Sequence, residues 1–88
     1  MNNIMDLKQQ KQAGLLGDGA AVYGIYVDGE LAYIGSSINC LKRKSTHLAA
    51  LRQDKHANEG LQDLYNTYGE DSFTFSAFLD TVGQEPGQ

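Results

Sequence analysis

Residues 20–35, AAVYGIYVDGELAYIG, decide the fold. Both halves, AAVYGIYV and LAYIG, are rich in β-branched and aromatic side chains, which fit a pleated, half-buried surface. Between them stands Asp28-Gly29, a pair that reverses the chain tightly because both positions tolerate a positive φ. The stretch reads as a β-hairpin. The turn length fixes which tyrosines share a face, since neighbours on a strand alternate sides. A two-residue Asp28-Gly29 turn puts Tyr26 on the face of Tyr33, whereas a three-residue loop ending at Glu30 puts Tyr23 there.

Beyond Gly35 come Ser36, Ser37 and Asn39, all good N-cap types, and then CLKRKSTHLAALRQ, without a Gly or Pro to stop a helix. A helix over about 39–53 is predicted. At 100° per residue Leu41 and Leu48 lie roughly 20° apart, and Arg43 and His47 roughly 40° apart on the side away from Leu41. An apolar face toward the core and a separate basic face are therefore expected. Asn58 caps a second helix, in which Leu61, Leu64, Tyr65 and Tyr68 fall at i, i+3, i+4 and i+7, and Gly69 supplies a left-handed stop. Phe73, Phe75, Ala77 and Leu79 alternate with Thr74, Ser76 and Phe78, which marks a third strand.

The order is β-β-α-α-β, an α+β domain over residues 20–80 with a three-stranded antiparallel sheet flanked by helices. Residues 1–19 mix Gln, Lys and Asn with the Gly-rich AGLLGDGA and read as a polar, frayed arm that can hold a helical turn near 3–12; residues 81–88 read as a tail. At 88 residues there is room for one small core. No apolar run reaches the roughly 18–20 residues that cross a bilayer, and MNNIMDLKQQ is too polar for a signal peptide, so a cytoplasmic protein that does not engage a membrane is expected. Cys40 is the only cysteine, which excludes an intramolecular disulfide or a thiolate zinc cluster within one chain and leaves Cys40 as a small packing residue.

The net charge of −4 argues against phosphate binding until its distribution is considered. From Lys42 to His56 the chain carries Lys42, Arg43, Lys44, Arg52 and Lys55 against Asp54 alone, a +4 segment on a body of −8. The residues nearby suit phosphate chemistry. Arg is the best donor to a phosphoryl group, His moves protons near neutral pH, and a Tyr hydroxyl can hold or deprotonate water. Tyr23, Tyr33, Arg43 and His47 supply these groups within 25 residues of one another. Core tyrosines and a solvated basic helix account for the same residues without any chemistry.

The run AVYGIYVDGELAYIGSSINCLKRKSTHL, with its continuation HANEGLQDLYNTYGEDSFTF, resembles the GIY-YIG nuclease family over about residues 21–80. Tyr33-Ile34-Gly35-Ser36-Ser37, Asn39, Arg43 and His47 match in type and spacing. His56, Asn58, Leu61-Gln62, Asn66, Tyr68-Gly69 and Phe73 look most like the branch that includes phage homing endonucleases. A literal Gly24-Ile25-Tyr26 leaves a short spacer before Tyr33; Ala21-Val22-Tyr23 fits the family spacer better, with Ala21 in place of the usual glycine. Tyr23 is therefore favoured as the motif tyrosine, with Tyr26 as runner-up.

The resemblance implies metal-dependent hydrolysis of nucleic-acid phosphodiesters. Tyr23 and Tyr33 would position or deprotonate water, Arg43 would stabilise the transition state, and His47 would assist, supported by His56 and Asn58. Lys42, Lys44, Arg52 and Lys55 would hold the nucleic-acid backbone. The family's Mg2+ or Mn2+ sits on a glutamate from a helix after the third strand, which these 88 residues are not expected to contain; Asp80, and Glu85 in the tail, are the acids placed to substitute. The competing reading is a degenerate nuclease fold that binds nucleic acid or a protein partner as an inhibitor or decoy.

Overall fold

The computed structural model describes residues 4–17 and 19–79. A short helix α1 (Leu7–Gln12) precedes the hairpin strands β1 (Ala21–Val27) and β2 (Glu30–Ser37), helices α2 (Cys40–Arg52) and α3 (Glu59–Tyr68), a 3₁₀ turn at Glu70–Ser72 and strand β3 (Phe73–Ala77). The protein is a small α+β domain whose antiparallel sheet has the order β2-β1-β3. No helix among the described residues is long and apolar enough to cross a membrane.

The hairpin turns at Asp28 and Gly29, with φ of 55° and 83°, the double positive φ that matches the twist of the flanking strands. The turn has two residues, yet Tyr23 and not Tyr26 faces Tyr33. Val27 pairs with Glu30 and Tyr26 with Leu31, but Ile25 pairs with Tyr33, so Ala32 is an extra residue in β2. One bulged residue reverses the side-chain alternation beyond it. Tyr23, Ile25 and Tyr33 thus share the face that α2 and α3 cover, whereas Tyr26 lies on the other, beside Leu31 and Phe78 over Gly24.

On the covered face Tyr23, Ile25 and Phe75 form the core with Leu51 of α2, Leu61 of α3 and Leu7 of α1. Burying each of these large side chains contributes about 1.5–3 kcal/mol. Asn39 caps α2 by accepting from the Lys42 amide, and Asn58 caps α3 by accepting from the Leu61 amide. Gly69 ends α3 at φ 86° and ψ 166°, an extended positive-φ conformation and not the left-handed helical stop expected from the sequence. Strand β3 ends at Ala77, two residues before the expected boundary.

The helical turn expected near 3–12 is present as α1, and it is packed where the sequence suggested a frayed arm. Asp6 and Gln9 cap α1 reciprocally, and Leu7 is fully buried. Gln10 lies against the free edge of β3, where its Oε1 accepts from the Ala77 amide at 2.9 Å and its Nε2 donates to the Ala77 carbonyl at 3.0 Å. A side-chain amide thereby satisfies strand groups that would otherwise stand open. The predicted tail, 81–88, lies outside the described residues.

Candidate active site

Three elements converge over the covered face near its β2 end. β1 brings Tyr23, β2 brings Tyr33, and α2 brings Arg43 and His47. The Tyr23 and Tyr33 ring centroids are 6.3 Å apart, and His47 stands edge-on to both, at 5.8 and 5.3 Å. Tyr23 can lie so close to β2 because Gly35 has no Cβ; an atom there would sit 2.6 Å from the Tyr23 hydroxyl oxygen.

The expected separation of core and basic faces on α2 does not hold for His47. Cys40, His47 and Leu51 make the buried stripe, while Leu41 and Leu48 only flank it. A polar ring can be buried where it is satisfied. His47 Nε2 lies 2.7 Å from the Tyr23 hydroxyl, and its Nδ1 lies 2.8 Å from Nε2 of His56. Burial, then the neighbouring His56 and Arg43, push the His47 pKa down to about 4. Burial, then Tyr33, raise that of Tyr23, with Arg43 pulling weakly the other way. At neutral pH the pair is a neutral imidazole against a neutral phenol.

His56 enters from the connector between α2 and α3, with its ring close to parallel with that of His47 (18°, centroids 5.0 Å). Gln62, a residue assigned no role from sequence, holds this connector. Its Oε1 accepts from the His56 amide and its Nε2 donates to the Leu51 carbonyl at the end of α2, both at 3.0 Å. In the sequence it stands out only as part of the Leu61-Gln62 pair of the resemblance, with no role attached. The Asn58 side chain is committed to capping α3, and what it brings to the cluster is its backbone amide, 3.0 Å from His56 Nδ1.

Arg43 is exposed one helical turn before His47, and its charge acts on both Tyr23 and His47. It has no hydrogen bond or ion pair among the described residues, so its donors are open to solvent. Lys42 and Lys55 are likewise exposed. Lys44 instead lies over the Phe75 ring, 5.9 Å from its centroid. Arg52, expected to meet phosphate, is held by Glu70 through two bonds of 2.8 and 2.7 Å, with Tyr65 donating to the same carboxylate. That pairing lowers the Glu70 pKa to about 2. Tyr26, on the opposite face, is not part of the cluster.

No family model, curated protein or solved structure matches this chain.

Asp80 and Glu85, the expected substitute metal ligands, lie outside the described residues. Among the described residues no group of three His, Cys, Asp or Glu could hold a metal ion, and no carboxylate is among the charges acting on Tyr23 or His47. An apolar groove lined by Leu15, Leu16, Val22, Ile34, Phe78 and Leu79 lies on the sheet face opposite Tyr23 and Tyr33, and its walls offer few groups for acid–base work.

Proposed function

We propose that this chain is a GIY-YIG-type nuclease domain that hydrolyses phosphodiester bonds in nucleic acid. The observation that carries the reading is the convergence of Tyr23, Tyr33 and His47 beside an unpaired Arg43. A phosphate seated against Arg43 would have its developing negative charge met by the guanidinium. The two phenols would hold the attacking water on the opposite side of phosphorus, with His47 orienting Tyr23. Lys42 and Lys55 would flank the path of the backbone. The Mg2+ or Mn2+ implied by the resemblance binds through substrate phosphate oxygens and one or two carboxylates. Those carboxylates would lie outside the described residues, and none of the roles given to Tyr23, His47 and Arg43 depends on them.

Incubating the protein with supercoiled plasmid, single-stranded DNA and RNA in Mg2+ or Mn2+ tests the reading. Cleavage is expected, abolished by a chelator and reduced about 10²–10³-fold or more by Arg43→Ala, a loss typical of removing one charge-stabilising donor. Because Arg43 is exposed, the variant should melt with the parent. Salt-sensitive binding without cleavage of any substrate would replace the nuclease reading with that of a binding module.

A further inference from the structure

The Tyr23–His47–His56 chain has a direction, and a backbone amide sets it. An imidazole nitrogen can donate or accept, so neither the 2.7 Å nor the 2.8 Å contact reveals where its proton lies. The Asn58 N–H has no such freedom. It can only donate, and it does so to His56 Nδ1 at 3.0 Å. His56 Nδ1 must therefore present a lone pair, and the neutral ring carries its proton on Nε2. That proton points at His47 Nδ1, which must accept. The His47 proton is then on Nε2 and points at the Tyr23 oxygen. Each step leaves one arrangement, and an imidazolium at either ring would set two N–H groups against each other.

We propose that His56 is a positioning residue that, anchored by the Asn58 amide, locks His47 as a donor to Tyr23, so that the histidines never receive the Tyr23 proton. The Tyr23 hydroxyl hydrogen is thereby turned away from His47, toward Tyr33. Because Tyr23 is itself 2% exposed, any proton it gives up leaves by way of the half-buried Tyr33 hydroxyl, which passes a proton on to an oxygen of the substrate or to water, and the phenolate left behind is held by the His47 N–H. His47 is then a fixed dipole aimed at a developing charge and not a base. The catalytic meaning of this rests on the nuclease reading, whereas the proton positions do not. Burial of His47 supports the same picture by disfavouring its charged form.

Long-range ¹⁵N–¹H correlation spectra of the full chain with ¹⁵N-labelled histidine at pH 7 read the proton positions without any substrate. Both rings are expected to show a pyridine-type Nδ1 and a pyrrole-type Nε2. In Asn58→Ala, which keeps the amide, the pattern should persist. In Asn58→Pro, which removes it, or His56→Ala, which removes the ring, the lock on His47 should be lost and a pyrrole-type Nδ1 population should emerge there. A pyrrole-type Nδ1 or an imidazolium at His47 in the parent would overturn the proposal, as would a fixed Nε2–H pattern at His47 in His56→Ala. Should the proline variant not fold, the parent and His56→Ala spectra still decide. A protein that shows the expected tautomers but cuts nothing would sink the nuclease reading alone.

Discussion

At Gly35 the constraint is contact, not torsion. A Cβ would meet the Tyr23 hydroxyl oxygen at 2.6 Å and its ring carbon at 2.7 Å, and Tyr23 is 2% exposed and bonded to His47, so it has nowhere to move. Gly35→Ala should cost about 1–3 kcal/mol by overpacking, read as a drop in denaturation midpoint. Gly24→Ala is the control. Its Cβ would approach Leu31 at 2.7 Å and Phe78 and Tyr26 at 3.1 Å, but Leu31 and Phe78 are 47% and 41% exposed and can rotate away. Equal losses in the two variants would refute the contact argument. His47 makes a second residue-scale test. Its pKa is about 4 in the folded protein against 6.5 as the ordinary value, so between those values the unfolded chain binds more protons. The stability due to keeping His47 neutral is fully present above pH 6.5 and is lost as pH falls toward 4, by an amount on the order of 3 kcal/mol. Glu70, held down to about 2, loses its contribution in a lower window, below about pH 4.5. Chemical denaturation across pH 4–7 should therefore show a steeper decline in the parent than in His47→Gln; parallel profiles would mean that His47 is not buried neutral.

Among the elements, α1 is the one whose weight exceeds its length. Gln10 is 3% exposed, and Gln10→Ala would strand the Ala77 amide and carbonyl at the β3 edge. Buried polar groups left without partners cost about 1–3 kcal/mol. Denaturant unfolding and amide exchange at Ala77 should both report that loss, while Lys8→Ala on the exposed side of α1 should change neither. A Gln10→Ala variant as stable as the parent would restore the frayed arm read from the sequence. The sequence marks the helical turn but not its packing, for a physical reason. Periodicity registers apolar side chains, and α1 delivers one buried apolar residue, Leu7, together with an amide that bonds a backbone 67 residues away. Where local signals suffice, as at Asp28-Gly29, Asn39, Asn58 and the alternation through Phe73–Ala77, the elements were legible to within about two residues. The bulge at Ala32 carries no local signal, and yet it decides that Tyr23 joins the cluster and Tyr26 does not. On α2 the leucine spacing pointed the core toward Leu41 and Leu48, because a histidine counts as polar until a buried partner such as the Tyr23 hydroxyl is known. Arg43, His47, Tyr23 and Tyr33 were visible as residue types; the tether through Gln62 was not, since its side chain bonds backbone groups whose positions only the fold sets.

For the whole molecule the question is how a chain of net charge −4 could hold a polyanion. Five cations lie between Lys42 and Lys55, but the fold spends them unequally. Arg52 is neutralised by Glu70, and Lys44 lies over Phe75. Of the five, Lys42, Arg43 and Lys55 are the exposed ones without an ion pair among the described residues. Each phosphate neutralised releases counterions, so the slope of log K against log salt counts the contacts at about −0.9 apiece on duplex DNA and about −0.7 on single strands. Three contacts predict a slope near −2.7 on duplex, where all five cations would predict about −4.5. Fluorescence anisotropy over a range of salt concentrations measures it, and two variants assign it. Lys42→Ala should make the slope shallower by about 0.9, whereas Arg52→Ala should leave it unchanged. An equal change in both would mean that Arg52 leaves Glu70 to meet the phosphate backbone. A slope near zero would mean that the −8 body outweighs the basic helix, and the partner would then have to be sought among proteins.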